Sequence, residues 1–149
     1  MPDYLEGKNP VWEALQAGRP IHKIYMVKGA RNRKLNEILQ LARKKNIVVD
    51  FIPAERLHQM SATKSHQGVV AVVEAKENAT VEEILLQAEK SGEKPLLLLL
   101  DQLEDPHNLG SLIRTSEALG VHGIIIPQRR SAGLSAAVAK VASGALEFI

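Results

Sequence analysis

The chain has no cysteine among its 149 residues, and aromatic side chains make up only 3%. The missing thiols exclude a disulfide scaffold, cysteine-ligated zinc and a thiol nucleophile, and they fit a reducing compartment. With few aromatics, the core must come from Leu, Ile, Val and Ala. Hydrophobic residues at 45% and charged residues at 24% are an ordinary globular balance, not a disordered one. Long apolar runs are also missing. Leu96 to Leu100 is the longest and is far too short to span a bilayer. Met1 to Glu6 lacks the basic and then apolar regions of a signal peptide. The expectation is a soluble, cytoplasmic protein with no membrane partner. His22, His58, His107 and His122 have no metal-ligand spacing, so no metal is expected. His107 beside Asp105 would suit a hydrolase, but no G-x-S-x-G elbow accompanies it. Neither G-x-G-x-x-G nor G-x-x-x-x-G-K-[ST] occurs, which argues against dinucleotide and P-loop enzymes.

Charge of one sign is not in excess for the whole chain, whose net is +2, but it is unevenly spread. Met1 to Ala75 holds 12 Lys/Arg against 7 Asp/Glu, a balance of +5, and Lys76 to Ile149 holds 7 against 10, a balance of −3. A basic front half suits a domain that contacts nucleic acid, because neutralising phosphates releases counterions. Solvated Lys and Arg on ordinary helices would give the same balance.

The front half alternates strands and helices. Val11, Ala14 and Leu15 have helical spacing, with Asn9 as a cap, Pro10 at the first helical position and Gly18 as the stop. Ile21 to Val27 alternates like a strand. Asn36 to Lys45 carries a helical stripe after the basic run Arg31-Asn32-Arg33-Lys34. Ile47 to Ile52 reads as a strand, Pro53 to Leu57 as a helical turn and Val69 to Val73 as a final strand. These elements predict a small α/β sandwich of about 75 residues. Residues 76–94 look like an acidic junction with a helix from Val81 to Glu89 capped by Thr80, closed by Gly92 and Pro95. From residue 95, Leu96 to Leu100 lacks alternation and is expected to be a strand buried on both faces. A helix from Leu109 to Leu119 and a strand Gly123 to Ile126 complete a βαβ unit. Leu134 to Val141 is another predicted helix. Ala145 to Ile149 reads as a strand entering the sheet, and a chain ending on such a run is expected to be truncated.

Asp101-Gln102-Leu103-Glu104-Asp105-Pro106-His107-Asn108-Leu109-Gly110, followed by Ser111-Leu112-Ile113-Arg114-Thr115, carries the chemistry. It lies between a buried strand and a helix, where open α/β sheets place their ligands. Asp105 and Asn108 both suit caps, Pro106 fixes the turn and Gly110 admits a close backbone. A capped helix with a surface arginine would explain the same residues.

The pattern D-x-x-x-D-P-x-N-x-G-x-x-x-R resembles the first signature motif of the SpoU/TrmH methyltransferases, with Asp101, Asp105, Pro106, Asn108, Gly110 and Arg114 in register. Glu117-Ala118-Leu119-Gly120-Val121 and Ser143-Gly144-Ala145 continue it. Tyr4-Leu5-Glu6-Gly7-Lys8-Asn9-Pro10-Val11 and His66-Gln67-Gly68-Val69-Val70-Ala71 are similar to the opening and closing signatures of that family's substrate-binding domain. The resemblance implies an α/β chain. Residues 1–75 would be a small RNA-recognition domain, 76–94 a linker, and 95–149 the first part of a truncated SPOUT domain, Rossmann-like and trefoil-knotted. It implies S-adenosylmethionine as cofactor and transfer of its methyl to a ribose 2′-hydroxyl, that of a guanosine in large-subunit ribosomal RNA. RNA and a second copy of the chain, as a homodimer, are the implied partners. Asn108 and Arg114 are the implied catalytic residues, Arg114 stabilising the developing alkoxide and Asn108 orienting the ribose or Arg114.

Lys8, Asn9, Arg31, Arg33, Lys34, His66, Gln67, Arg129 and Arg130 are the RNA-binding candidates. Arg31, Arg33 and Lys34 are expected in a loop, either at phosphates or merely exposed. Asn9 could cap a helix, and His66 and Gln67 could simply order a turn. The family's glycine-rich loop and its carboxy-terminal proline-containing loop do not occur in the sequence. The cofactor-binding residues are therefore expected beyond Ile149, and the chain alone is expected to be inactive. A non-catalytic RNA-binding module and a tRNA-directed 2′-O-methyltransferase are the alternatives.

Overall fold

The run Val69-Val70-Ala71-Val72-Val73 crosses the middle of a four-stranded sheet, since β-branched side chains fill a pleated surface well. Residues 2–128 and 131–149 are described by the computed structural model, and the chain divides into two compact units, Met1–Ala75 and Lys76–Ile149. In the first unit the strands are β1 (Pro2–Glu6), β2 (Ile21–Val27), β3 (Val49–Ile52) and β4 (Val69–Glu74). They lie in the order β1-β4-β2-β3. β4 runs antiparallel to both β1 and β2, and β3 is parallel to β2. Leu5, Ile24, Met26, Val69, Ala71 and Val73 are buried. With them are buried the apolar stripes of α1 (Lys8–Ala17) and α2 (Arg33–Lys44). The alternate positions Val70 and Ile52 pack with Leu57 of α3 (Ala54–Met60), joined by Tyr25, Val27 and Met60. Each aliphatic side chain so buried stabilises the unit by roughly 1.5–3 kcal/mol.

In the second unit β5 (Leu97–Leu99) and β6 (Gly123–Ile125) form a parallel pair. α4 (Val81–Ser91), α5 (Pro106–Ala118) and α6 (Ala136–Ala142) complete it. Leu109, Ile113, Val138, Ala142 and Ala145 form its core. Thr80 closes a capping box on α4, its hydroxyl accepting from the Glu83 amide while the Glu83 carboxylate accepts from the Thr80 amide. The cap expected at Thr80 is thus present, and Glu83 three residues on completes it with a second, reciprocal bond.

Several expectations need correction. β1 had no sequence signal of its own. α1 starts at Lys8 with Gly7 at the cap position (φ 103°) and no side-chain cap, so Asn9 and Pro10 lie inside the first turn. α2 starts at Arg33, because the Asn32 side chain accepts from the Lys34 and Leu35 amides. Only Arg31 of the three cations is therefore in the loop. β5 is not buried on both faces: Leu96 is 50% and Leu99 72% exposed. Its one neighbour among the described residues is β6, and a strand paired on one side keeps open surface. Ala145–Glu147 is a 3-10 turn, not a strand. Ser143 and Gly144 both take positive φ ahead of it (54° and 99°), which turns the chain back on α5 and α6. The Lys76 ammonium then donates to the Leu146 and Ile149 carbonyls.

Candidate functional site

In the first unit β1, β2 and β3 run in one direction and end at Glu6, Val27 and Ile52, while β4 begins there at Val69. The segments at Gly7–Asn9, Lys28–Asn32, Pro53 and Ser61–Gly68 therefore meet at one end of the sheet. Backbone bonds tie them together. The Gly7 amide donates to Val69 O (3.2 Å), the Val27 amide to Gly68 O (3.0 Å) and the Lys28 amide to Ile52 O (2.9 Å). Gln67 Oε1 accepts from the Lys8 amide at 3.2 Å, so the two segments expected to open and close this domain are in direct contact across 59 residues. His66 Nδ1 accepts from the Gly68 amide at 3.0 Å, which fixes Nδ1 as the unprotonated nitrogen in this geometry. His66 and Gln67 thus order the turn, whose backbone takes positive φ at Gln67 (52°) and Gly68 (89°). A Cβ at Gly68 would lie 3.1 Å from Leu35 Cδ1.

The basic candidates collect around this end. Arg31 is exposed in the loop after β2. Arg33 and Lys34 open α2, where positive charge opposes the helix dipole. Glu37 one turn on answers both, at 3.0 Å from Arg33 and 3.8 Å from Lys34. The Lys34 ammonium also stands 3.8 Å from the centre of the Trp12 ring on α1, a cation–π contact that holds its stem to the surface. Sequence reasoning passed over Lys28 and Lys64, which share this end, because their proximity comes from the sheet and not from a local motif. Lys64, at φ 56°, donates to the His58 carbonyl at 3.0 Å.

Beneath the loop lies a residue that sequence reasoning also missed. The Glu6 carboxylate accepts from the Ser61 hydroxyl (2.7 Å), the Ala62 amide, and the Thr63 amide (3.1 Å) and hydroxyl. Burial pushes its pKa up, but the Thr63 and Ser61 hydroxyls and the two amides pull harder and hold it below the ordinary value of 4.5.

In the second unit Asp105 caps α5, accepting from the His107 amide at 2.9 Å, and Pro106 takes the first helical position. Asn108 is therefore the third residue of the helix and not a cap. Arg114 lies six positions further along the helix, which places the two about 9 Å apart along the axis and about 120° apart around it. Both side chains are exposed, and the helix does not bring them into one cluster. Gly110 lies under α6, where a Cβ would meet Val141 Cβ at 2.6 Å and Val138 O at 2.9 Å. The close approach expected there is present. Arg129 and Arg130 lie outside the described residues. A groove of about 440 Å³ is lined by Ile84, Leu109, Ile113, Ile124 and other residues, among them Lys76 and His122, but by neither Asn108 nor Arg114. Among the described residues no group of His, Asp and Glu could hold a metal ion, and no helix is long and apolar enough to cross a membrane.

Residues 4–79 match the family described as RNA 2′-O ribose methyltransferase substrate binding, and residues 95–149 match the SpoU rRNA Methylase family. The chain is 45% identical, over 99% of its own length and 59% of the relative's, to YacO of Bacillus subtilis strain 168, assigned by name to the TrmH family of tRNA/rRNA methyltransferases. A Staphylococcus aureus protein (strain MSSA476) assigned to the same family is 42% identical over 97% of this chain and 58% of its own. The chain thus spans somewhat under two thirds of these relatives. Among solved structures, the SpoU methyltransferase AviRb from Streptomyces viridochromogenes, in complex with AdoMet, superposes with a TM-score of 0.78 at 23% identity, over 98% of this chain and 52% of that one. An AdoMet-bound rRNA methyltransferase from Sinorhizobium meliloti gives a TM-score of 0.75 at 22% identity, over 99% and 52%. These two likenesses show the fold.

Proposed function

Because this chain belongs to the SpoU/TrmH family of RNA methyltransferases, we propose that it serves the S-adenosylmethionine-dependent methylation of a ribose 2′-hydroxyl in RNA. The observation that carries the reading is the order of the two family matches, substrate binding over 4–79 and then methylase over 95–149. The favoured target is a guanosine of large-subunit ribosomal RNA, met by a homodimer. A tRNA target is the second reading, favoured by the tRNA/rRNA naming of the relatives.

S-adenosylmethionine, bound by the AviRb structure, supplies an electrophilic methyl group. The residues described here do not by themselves fit that group. No buried side-chain polar atom among them lacks a partner. In the groove, Lys76 is engaged by Leu146 and Ile149, and His122 by the Leu96 amide and Glu93. The proposal therefore includes that the 149-residue polypeptide does not turn over alone. What the chain offers is a surface for RNA and two side chains for the ribose. A guanidinium at Arg114 would stabilise negative charge developing on the 2′-oxygen. A guanidinium keeps its proton in proteins and cannot readily accept another, so the electrostatic role is preferred to a base role. The Asn108 amide would orient the ribose, since the helix does not bring it to Arg114.

The test is methyl transfer to ribosomal and transfer RNA by a chain extended to the length of its relatives, with the product located by its alkali-resistant linkage. Arg114→Ala should abolish turnover and spare RNA binding. Equal turnover in that variant removes Arg114 from the mechanism, and methylation of a base instead of a ribose overturns the reading. Exchanging Arg31, Arg33 and Lys34 for Ala should weaken RNA binding and flatten its dependence on salt.

A further inference from the structure

Glu6 is 1% exposed, at the end of β1 and beneath the loop that follows α3. A carboxylate is costly to bury unless donors satisfy it, and here hydroxyls and amides of three consecutive residues, Ser61, Ala62 and Thr63, converge on its two oxygens. An apolar side chain would cover the sheet as well, yet it would leave those donors free to point elsewhere. What the carboxylate adds is a single conformation for residues 61–63. The far end of the same loop is fastened where Gln67 Oε1 accepts the Lys8 amide. Between the two fastenings lie Lys64, Ser65 and His66.

We propose that Glu6 is a positioning residue for RNA engagement: by fixing Ser61–Thr63 it holds Lys64, His66 and Gln67 beside Lys8 and Asn9 as one continuous RNA-contacting rim. The proposal rests on reading the first unit as the one that contacts RNA. Glu6 touches no RNA itself. It acts by ordering the loop before binding, so that the ordering does not oppose association.

Three measurements on the 149-residue chain test this: amide hydrogen exchange, affinity for a fluorescently labelled RNA hairpin with an unpaired loop, and the salt dependence of that affinity. Glu6→Gln keeps the shape but replaces one acceptor oxygen by a donor, so it cannot satisfy all four bonds. Protection at Ala62 and Thr63 should fall while the central strand stays protected. RNA affinity should drop about five- to tenfold, and the salt slope should decrease by about one. Lys64→Ala should weaken binding in the parent chain and add little in the Glu6→Gln background, because the ammonium is already displaced. A purely structural role would lower stability and leave the Lys64 effect undiminished. Unchanged RNA affinity with a loosened loop overturns the proposal, as does an undiminished effect of Lys64→Ala. A parent chain with no salt-dependent RNA binding removes the RNA reading of this unit and the positioning role with it. A parent that binds, beside a Glu6→Gln variant that binds equally, removes the positioning role alone. If Glu6→Gln does not fold, Thr63→Ala, which deletes one hydroxyl donor and leaves the carboxylate, is judged by the same outcomes.

Discussion

The two units treat their most apolar strands differently. In the first, β4 has a neighbour on each side, and Val69, Val70, Ala71 and Val73 are completely buried. In the second, the more hydrophobic run at β5 has one neighbour among the described residues, and Leu99 stands 72% exposed. An apolar run specifies a strand, but the number of neighbours specifies its burial. The units also differ in how they place polar groups. The first buries a carboxylate and uses it to shape a loop, whereas the second keeps Asn108 and Arg114 on the outer surface of a helix.

Four substitutions sharpen or break this contrast, each read by denaturation together with unit-resolved hydrogen exchange. The largest effect is expected from Ile38→Ala, since Ile38 has no exposed surface. It should cost about 2–5 kcal/mol and release amides of the first unit. Equal release in the second would mean the two units unfold together.

Next comes Glu6→Gln, at about 1–3 kcal/mol near neutral pH for a buried donor left unpaired. It carries a pH signature. The folded pKa of Glu6 lies below its ordinary value of 4.5, so the bonded carboxylate stabilises the unit fully above that value. The stabilisation is lost as pH falls through the lower folded pKa. The parent should therefore show an acid limb that the Gln variant lacks, and parallel acid limbs would remove Glu6 as its source.

Thr80→Ala should cost about 1 kcal/mol through loss of the capping box, visible first in the amides at the start of α4. Leu99→Ala should change stability by no more than about 0.5 kcal/mol. A loss several times larger would show that this strand is covered in solution.

How much was legible in the sequence follows the range of the interaction involved. Thr80 before α4 and Gly18 after α1 are punctuation completed within a few residues and stand where the pattern put them, whereas α5, expected from Leu109, begins three residues earlier at Pro106 because Asp105 and not Asn108 is its cap. Asn32 belongs to the same class but was overlooked, because the basic residues after it read as loop when they are the first turn of α2. β1 was not legible because five residues with a proline and two charges make a strand only when β4 is alongside. The misread tail, Ala145 to Ile149, shows the opposite error. Apolar residues suggested a strand, and two positive-φ residues before them decided for a turn.

By itself the sequence determined the family, through three motifs in order, and the local ends of helices and turns, through side chains reaching backbone groups a few residues away. Tertiary structure alone decided that residues 6–9 and 61–68 form one rim and that Glu6 sits beneath it. It also decided that Leu99 remains open to solvent. These depend on which strands lie side by side, and pairing across more than fifty residues of chain is set by the collective burial of the sheet, which no short window of sequence contains.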